Sequence, residues 1–153
     1  MKLPFLFVIG FNLIYNLSFA QCHPLLQSYA SGFDSIHANN LHFLDQHLSE
    51  VKIVGLGEDT HGTSEFTTLA QELFTFLATH HDFKILILET GFGEGQYLND
   101  YIHGKRNDLN DILNHHNSTW RYKSVEFHQF INTLRNYNQS HEHKVYLYGC
   151  EMQ

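Results

Sequence analysis

Three short apolar runs constrain the fold of this chain more than any other feature of its sequence. They occupy residues 51–57 (VKIVGLG), 84–89 (KILILE) and 144–148 (KVYLY). Apolar runs of this length that end at glycine or a polar residue are typical of buried β-strands. Longer stretches with helical spacing separate them, and strands that alternate with helices favour parallel β-α-β units.

The stretches between the apolar runs carry hydrophobic residues at the spacing of amphipathic helices. This spacing predicts helices over residues 63–79, 94–102, 108–113 and 124–137, and one helix or a broken pair over residues 23–48. The strands are apolar on both faces, which indicates that helices cover both sides of the sheet. The predicted fold class is therefore α/β, with a parallel β-α-β sheet and helices on both faces.

Residues 1–20 have the three-part layout of a secretory signal peptide. Lys2 supplies a positive charge, residues 3–15 are almost wholly apolar, and Ser18-Phe19-Ala20 forms a small-x-small exit. The apolar run is shorter than the roughly 20 residues of a membrane span, which makes an uncleaved anchor the weaker alternative. We expect cleavage after Ala20, a mature domain over residues 21–153 without a stable membrane span, and export to the periplasm or the extracellular space.

The charge balance and the cysteines limit the partners that this chain can have. The formal net charge is -7, with 9 Lys and Arg against 16 Asp and Glu, which is the opposite of the balance expected in a nucleic-acid binder. Cys22 and Cys150 are the only cysteines, and export would expose them to oxidising conditions. The sequence leaves open whether they pair, and two unpaired thiols are the simpler interpretation.

Acidic residues and a histidine follow the predicted strands, at the points where the strands end. Glu58 and His61 follow the first strand, Glu89 ends the second, and Glu151 follows the third. Ligands of open parallel sheets bind outside the carboxyl ends of the strands, so we expect these side chains to share one crevice. Carboxylates there can orient a neutral histidine as a general base. Two alternatives stay open: Glu58 only caps the following helix, or His61 is a solvated loop residue.

The other candidate motifs carry less weight. The chain lacks the third glycine of a dinucleotide-binding loop, a Walker motif and the Gly-x-Ser-x-Gly elbow of α/β-hydrolases. The 13 histidines include the doublets His80-His81 and His115-His116 and the pair His141-x-His143. Their spacing matches no metal-ligand motif, which favours solvated histidines and predicts neither a metal nor a cofactor. A divalent-metal protein is the least favoured interpretation.

Several segments, in a common order, resemble the erythromycin esterase family. Residues 54–66 are similar to that family's Gly-Glu-x-x-His-Gly-x-x-Glu-Phe pattern after a hydrophobic strand. Four later segments resemble successive elements of the family: residues 86–89, residues 99–104, residues 122–138 and residues 149–153. The resemblance covers roughly residues 50 to 153.

The resemblance implies a metal-independent or metal-tolerant esterase, without a cofactor, that opens a macrolide lactone or a related small-molecule ester by water attack. His61 would be the general base, while Glu58 and Glu89 would hold the geometry of the site and polarise the base or the ester. The resemblance also assigns supporting or substrate-binding roles to a further set of residues: Glu65, Glu126, Glu151 and Gln153. A fold of this kind does not select the substrate by itself.

The chain departs from the family pattern in three respects. Ala70 stands where the family often carries Lys or Arg, and Glu151 stands where the family carries Asp. Family members are also much longer, and three parallel strands make a small sheet with exposed edges. We therefore expect this chain to be an incomplete, N-terminal part of a larger domain. The alternative is an exported, non-catalytic remnant or binding module.

Overall fold

The computed structural model describes residues 37–57, 61–115 and 122–152. Two 3₁₀ turns, Ala38–Asn40 and His42–Leu44, precede the regular elements. These elements are, in chain order, α1 (Asp45–Leu48), α2 (Ser64–His80), β1 (Ile85–Gly91), α3 (Phe92–Ile102), α4 (Leu109–His115), α5 (Val125–Ser140) and β2 (Tyr146–Glu151). The predicted helix over residues 23–48 is a series of short helical turns in its described part. The predicted signal peptide and Cys22 lie outside the described residues.

Helix α5 shows how the apolar spacing produces a buried face. Phe127, Phe130, Ile131 and Leu134 lie on one side of the helix at helical spacing, and all four are buried. The Oγ atom of Ser124 accepts a hydrogen bond from the backbone N–H of Phe127 at 3.1 Å, which caps the first turn. The buried face of α5 belongs to a core that also includes residues of α2, α3, α4 and β2.

The two strands pair in parallel, which confirms the predicted α/β class with a β-α-β unit. The register aligns Leu86 with Leu147 and Leu88 with Gly149, and helices α3 to α5 connect the strands. Leu86 and Leu88 pack against the core, whereas Ile85 and Ile87 are 55% and 62% exposed. The described helices therefore pack on the Leu86 side of β1, and the opposite face of this strand is open. The expected cover on both faces is not seen in the described residues.

Helix α3 crosses β2 at a contact that only glycine permits. A Cβ atom placed on Gly95 would lie 2.1 Å from the backbone nitrogen of Gly149. The absence of a side chain on Gly95 allows the helix backbone to touch the strand. Asn99 extends this contact, because its Oδ1 atom accepts a hydrogen bond from the backbone N–H of Leu147 at 3.0 Å. Helix α3 is thus fixed against the strand that carries Glu151.

The prediction of a strand over residues 51–57 is wrong, because this segment has no regular secondary structure. Within the described residues, β1 pairs with β2 alone. The side chain of Ile53 is 86% exposed, and a cavity lies between this segment and β1. An apolar run becomes a strand only when its backbone hydrogen-bonds to a neighbouring strand. Here the cavity separates residues 51–57 from β1.

Candidate functional site

The two parallel strands present acidic residues at the same edge of the sheet. Glu89 lies near the end of β1, and Glu151 is the last residue of β2, where it aligns with Gly91. The parallel pairing thus places Glu89 and Glu151 at neighbouring strand ends. This edge is where open parallel sheets bind their ligands.

His61 lies on the turn that leads into helix α2. The following residue, Gly62, has a φ of 77°, a left-handed backbone conformation that residues other than glycine rarely adopt. Thr63 is the N-cap residue, so the helix begins three residues after His61. The exposed His61 precedes the N-terminus of α2, which is the positive end of the helix dipole. A neutral imidazole is the form that accepts a proton from water.

His61 and Glu89 line the same cavity, which has a volume of about 670 Å³. Helix α2 forms one apolar wall of this cavity with Leu73 and Leu77, and β1 contributes Ile85 and Ile87. Several further apolar residues complete the lining, including Ile53, Val54 and Leu56 from the preceding segment and Phe127 and Phe130 from α5. Mostly apolar walls with a few polar groups are typical of small-molecule binding sites.

Tyr122 is a residue of this cavity that the site prediction from sequence did not include. Its Oη atom donates a hydrogen bond to the backbone carbonyl oxygen of Glu89 at 3.3 Å. Its ring stacks on Phe127, with 4.6 Å between the ring centroids. The available signal in the sequence was the pattern Tyr-x-Ser-x-Glu at residues 122–126, within the family-like segment 122–138. Only the fold shows that the Tyr122 phenol reaches the end of β1.

Three of the predicted supporting residues lie elsewhere. The Glu65 carboxylate accepts a hydrogen bond from the Ser64 hydroxyl at 3.0 Å. The backbone N–H of Glu65 and the Ser64 hydroxyl together hold the pKa of Glu65 below its ordinary value. Glu126 is in the first turn of α5, where the helix dipole stabilises a negative charge. Neither these two residues nor Glu151 lines the cavity. The predicted residues Glu58 and Gln153 lie outside the described part of the chain.

Neither a metal-binding cluster nor a membrane-spanning helix is found among the described residues. Within residues 37–57, 61–115 and 122–152, no group of three or more His, Cys, Asp or Glu side chains is arranged to hold a metal ion. No helix in the same ranges is long and apolar enough to cross a membrane.

The parallel β-α-β unit with a cavity beside its first strand defines an α/β protein with a candidate site for a small molecule. Residues 78–153 match the family model for erythromycin esterase, and this range includes Glu89 and Tyr122. The erythromycin esterase type II of Escherichia coli is 30% identical over 107 residues, which are 69% of this chain and 24% of that protein. Over this part of its length, the chain is a relative of the erythromycin esterase family, which confirms the resemblance found in its sequence.

Two solved structures share the fold. A succinoglycan biosynthesis protein is 28% identical, with a TM-score of 0.71, and the match covers 80% of this chain and 32% of that chain. A protein from Bacillus cereus is 26% identical, with a TM-score of 0.68 over 76% of this chain and 29% of its own. The chain therefore spans about a quarter of the length of the Escherichia coli relative and about a third of each solved structure.

Proposed function

We propose that this protein hydrolyses carboxylic esters of small molecules, including lactones, at the cavity beside β1. The observation that carries the proposal is that His61 and Glu89 line one mostly apolar cavity beside β1, with Glu89 near the carboxyl end of this strand. An apolar wall suits the hydrocarbon part of an ester, and the polar end suits the reacting carbonyl group. The relationship to the erythromycin esterases supports the same reaction class.

In the proposed reaction, the neutral imidazole of His61 takes a proton from a water molecule as the water oxygen attacks the ester carbonyl carbon. The tetrahedral intermediate then expels the alkoxide, and the imidazolium returns the proton to this leaving group. The products are a carboxylic acid and an alcohol, which stay joined as one molecule when the substrate is a lactone. The Glu89 carboxylate stabilises the positive charge that His61 gains, and Glu58 has the same role in the proposal.

The test replaces the proposed base and compares it with a matched histidine. We expect His61→Ala to lower kcat/KM for a p-nitrophenyl ester by about 10²–10⁴-fold, which is the usual contribution of a general base. His47→Ala is the control, because His47 is an exposed histidine of helix α1 and does not line the cavity. Undiminished turnover in His61→Ala would overturn the assignment, as would an equal loss in both variants.

A panel of substrates distinguishes hydrolysis from the alternative of a non-catalytic binding module. The panel contains simple p-nitrophenyl esters and macrolide lactones, and saturation binding of the same compounds is measured in parallel. Turnover that depends on His61 supports the esterase. Saturable binding without turnover supports the binding module instead.

We further propose that residues 1–20 are removed on export and that the mature protein acts in the periplasm or outside the cell. The support is the charge, apolar run and small-x-small exit at the N-terminus. Sequencing the N-terminus of protein recovered from the exported fraction tests this proposal. A mature chain that begins at Gln21 is expected, whereas a retained Met1 in a cell-associated protein would contradict it.

A further inference from the structure

Residues 38–48, which precede the segment that lines the cavity, are held against the end of helix α2 by one carboxylate that lies between two imidazoles. Asp45 binds the Nδ1 atom of His42 through one oxygen at 3.0 Å and the Nε2 atom of His81 through the other at 2.7 Å. His42 and Asp45 belong to the N-terminal segment, whereas His81 directly follows α2. The His81 side chain is only 16% exposed, so this contact is partly shielded from solvent.

Apolar and aromatic contacts hold the same region together. The His42 ring meets the ring of Phe76 edge-on at 5.3 Å, and Phe76 is fully buried. Leu41 is also buried. The backbone N–H of Ala38 donates a hydrogen bond to the Glu72 carboxylate at 2.7 Å. The segment is thus docked by a small apolar contact and two polar contacts with α2, one of which contains titratable imidazoles.

We propose that the His42–Asp45–His81 contact is a pH-sensitive latch that holds the segment against α2 most firmly in mildly acidic solution. Histidines gain a proton below about pH 6.5. Both contacts to Asp45 then become charge-assisted hydrogen bonds, which are stronger than the bonds made by neutral imidazoles. Above neutrality, the same atoms hold the segment by weaker, uncharged hydrogen bonds.

Asp45 keeps its charge in the pH range that the latch needs. Hydrogen bonds from His42 and His81 hold the pKa of Asp45 below the ordinary value of an aspartate. A carboxyl with a lowered pKa contributes its full stabilisation above the ordinary value, and this is lost as the pH falls through the pKa of the folded protein. We therefore expect the latch to be strongest in mildly acidic solution, above the pH range in which Asp45 takes up a proton.

The other titratable groups around the latch modify its response. The ring of His80 lies 5.2 Å from the ring of His42, so protonation of both residues introduces a repulsion that opposes the latch. The Glu72 carboxylate of α2 accepts its hydrogen bond from the backbone N–H of Ala38 in the same region. His47 lies in α1 and contacts Gln46 at 3.1 Å.

The residues of the latch are continuous in sequence with one wall of the cavity. Residues 49–57 continue from α1 and contribute Ile53, Val54 and Leu56 to the cavity lining. Release of the latch at higher pH gives this wall more freedom, while the walls formed by α2 and β1 keep their own contacts. The docking of residues 38–48 does not depend on ester hydrolysis, so a failure of either proposal leaves the other intact.

Amide hydrogen exchange tests the latch on the full chain. The measured quantity is the protection factor of residues 38–48, which corrects for the intrinsic dependence of exchange on pH, and α5 serves as the internal reference. In the wild-type protein, we expect these residues to be roughly three- to tenfold better protected at pH 5.5 than at pH 8, in line with a pair of partly exposed ion pairs. The reference helix should change much less.

Three variants separate the latch from general effects of pH. Asp45→Asn keeps the shape of the side chain and removes its charge, and His81→Gln keeps a donor that does not titrate in this range. Asp45→Asn is expected to remove the pH dependence of protection in residues 38–48, and His81→Gln to reduce it, because His42 still contacts Asp45 in that variant. His47→Gln should keep it, because His47 is a histidine of the same short helix outside the latch.

A wild-type protein with equal protection at the two pH values would overturn the proposal. An Asp45→Asn variant that keeps the full wild-type ratio would overturn it as well. If Asp45→Asn also loses protection in α5, His81→Gln and the wild-type titration decide the outcome. A loss of the pH response in His47→Gln alone would assign the effect to another group.

Discussion

The hydroxyl of Tyr122 donates a hydrogen bond to the backbone carbonyl of Glu89 at 3.3 Å. This bond connects the segment that leads into α5 with the end of β1, over 33 positions of sequence. Stacking on Phe127 fixes the ring of Tyr122 independently of its hydroxyl. The phenol therefore acts on the position of the strand end that carries Glu89.

Removal of this hydroxyl is predicted to loosen the strand end and to leave the fold intact. A hydrogen bond of this kind contributes about 0.5–1.5 kcal/mol. Tyr122→Phe should therefore lower kcat/KM of the proposed hydrolysis by about two- to tenfold, since 1.36 kcal/mol corresponds to tenfold in rate. Ester kinetics measure this effect, and urea unfolding checks that stability changes by no more than the same amount. Tyr122→Leu, which also loses the stacked ring, should be worse in both measurements.

Two glycines of helix α3 offer a matched pair for testing how closely the helix approaches β2. A Cβ atom on Gly93 meets nothing within 4 Å, whereas a Cβ atom on Gly95 would overlap the backbone of Gly149. Gly93→Ala should stabilise the protein by about 0.5–1 kcal/mol, which is the helix preference of alanine over glycine. Gly95→Ala should destabilise it by about 3 kcal/mol or more, because backbone must move. Urea unfolding of the two variants gives both values, and equal effects would contradict the close contact.

Asn138 is predicted to be essential for the start of β2. Its buried amide accepts a hydrogen bond from the backbone N–H of Val145 at 2.8 Å and donates one to the carbonyl of the same residue at 2.9 Å. Asn138→Ala leaves both buried backbone groups without this partner, and the expected cost is about 2–4 kcal/mol. The exposed Asn136→Ala is the control and should change the free energy of unfolding by less than about 0.5 kcal/mol.

Acid should weaken the ion pair between Arg106 and Asp108. The Arg106 guanidinium, which binds both oxygens of Asp108, holds the pKa of this carboxyl below the ordinary value of an aspartate. Since the pKa is lowered in the folded protein, the contribution to stability is complete above about pH 4 and disappears as the pH falls through the folded value. Asp108→Asn and Arg106→Gln should each destabilise the protein at pH 6. Their difference from wild type should shrink toward pH 2.5.

The pair is partly exposed, which limits its contribution and makes the pH trend more informative than the size of the effect. Chemical unfolding at pH 2.5, 4 and 6 follows this trend. A difference from wild type that is constant across these three pH values would show that Arg106 does not stabilise the ionised form of the Asp108 carboxyl.

Much of the secondary structure could be predicted because its signals are local. The helix predicted over residues 124–137 is observed as Val125–Ser140, and the serine before it is the N-cap. The strand predicted over residues 84–89 is observed as Ile85–Gly91. Apolar spacing and capping are properties of consecutive residues, so they are visible without the fold.

The candidate site was predictable only in part. The rule that ligands bind at the carboxyl ends of parallel strands selected His61 and Glu89, and the fold places both on one cavity. The same rule did not reveal Tyr122, because its contact with Glu89 depends on where α5 begins in space. Glu65 and Glu126 are near helix starts rather than in the cavity, a distinction that residue type and spacing do not carry.

The sequence by itself determined the parallel α/β class, the positions of the main helices and two of the strands, and the relationship to the erythromycin esterases. Tertiary structure alone decided that residues 51–57 stay outside the sheet, that Gly95 meets Gly149, and that Asp45 joins His42 to His81. The physical reason is that periodicity reports which face of an element is apolar. Hydrogen-bond partners, close backbone contacts and ion pairs depend on distances between residues that are far apart in the chain.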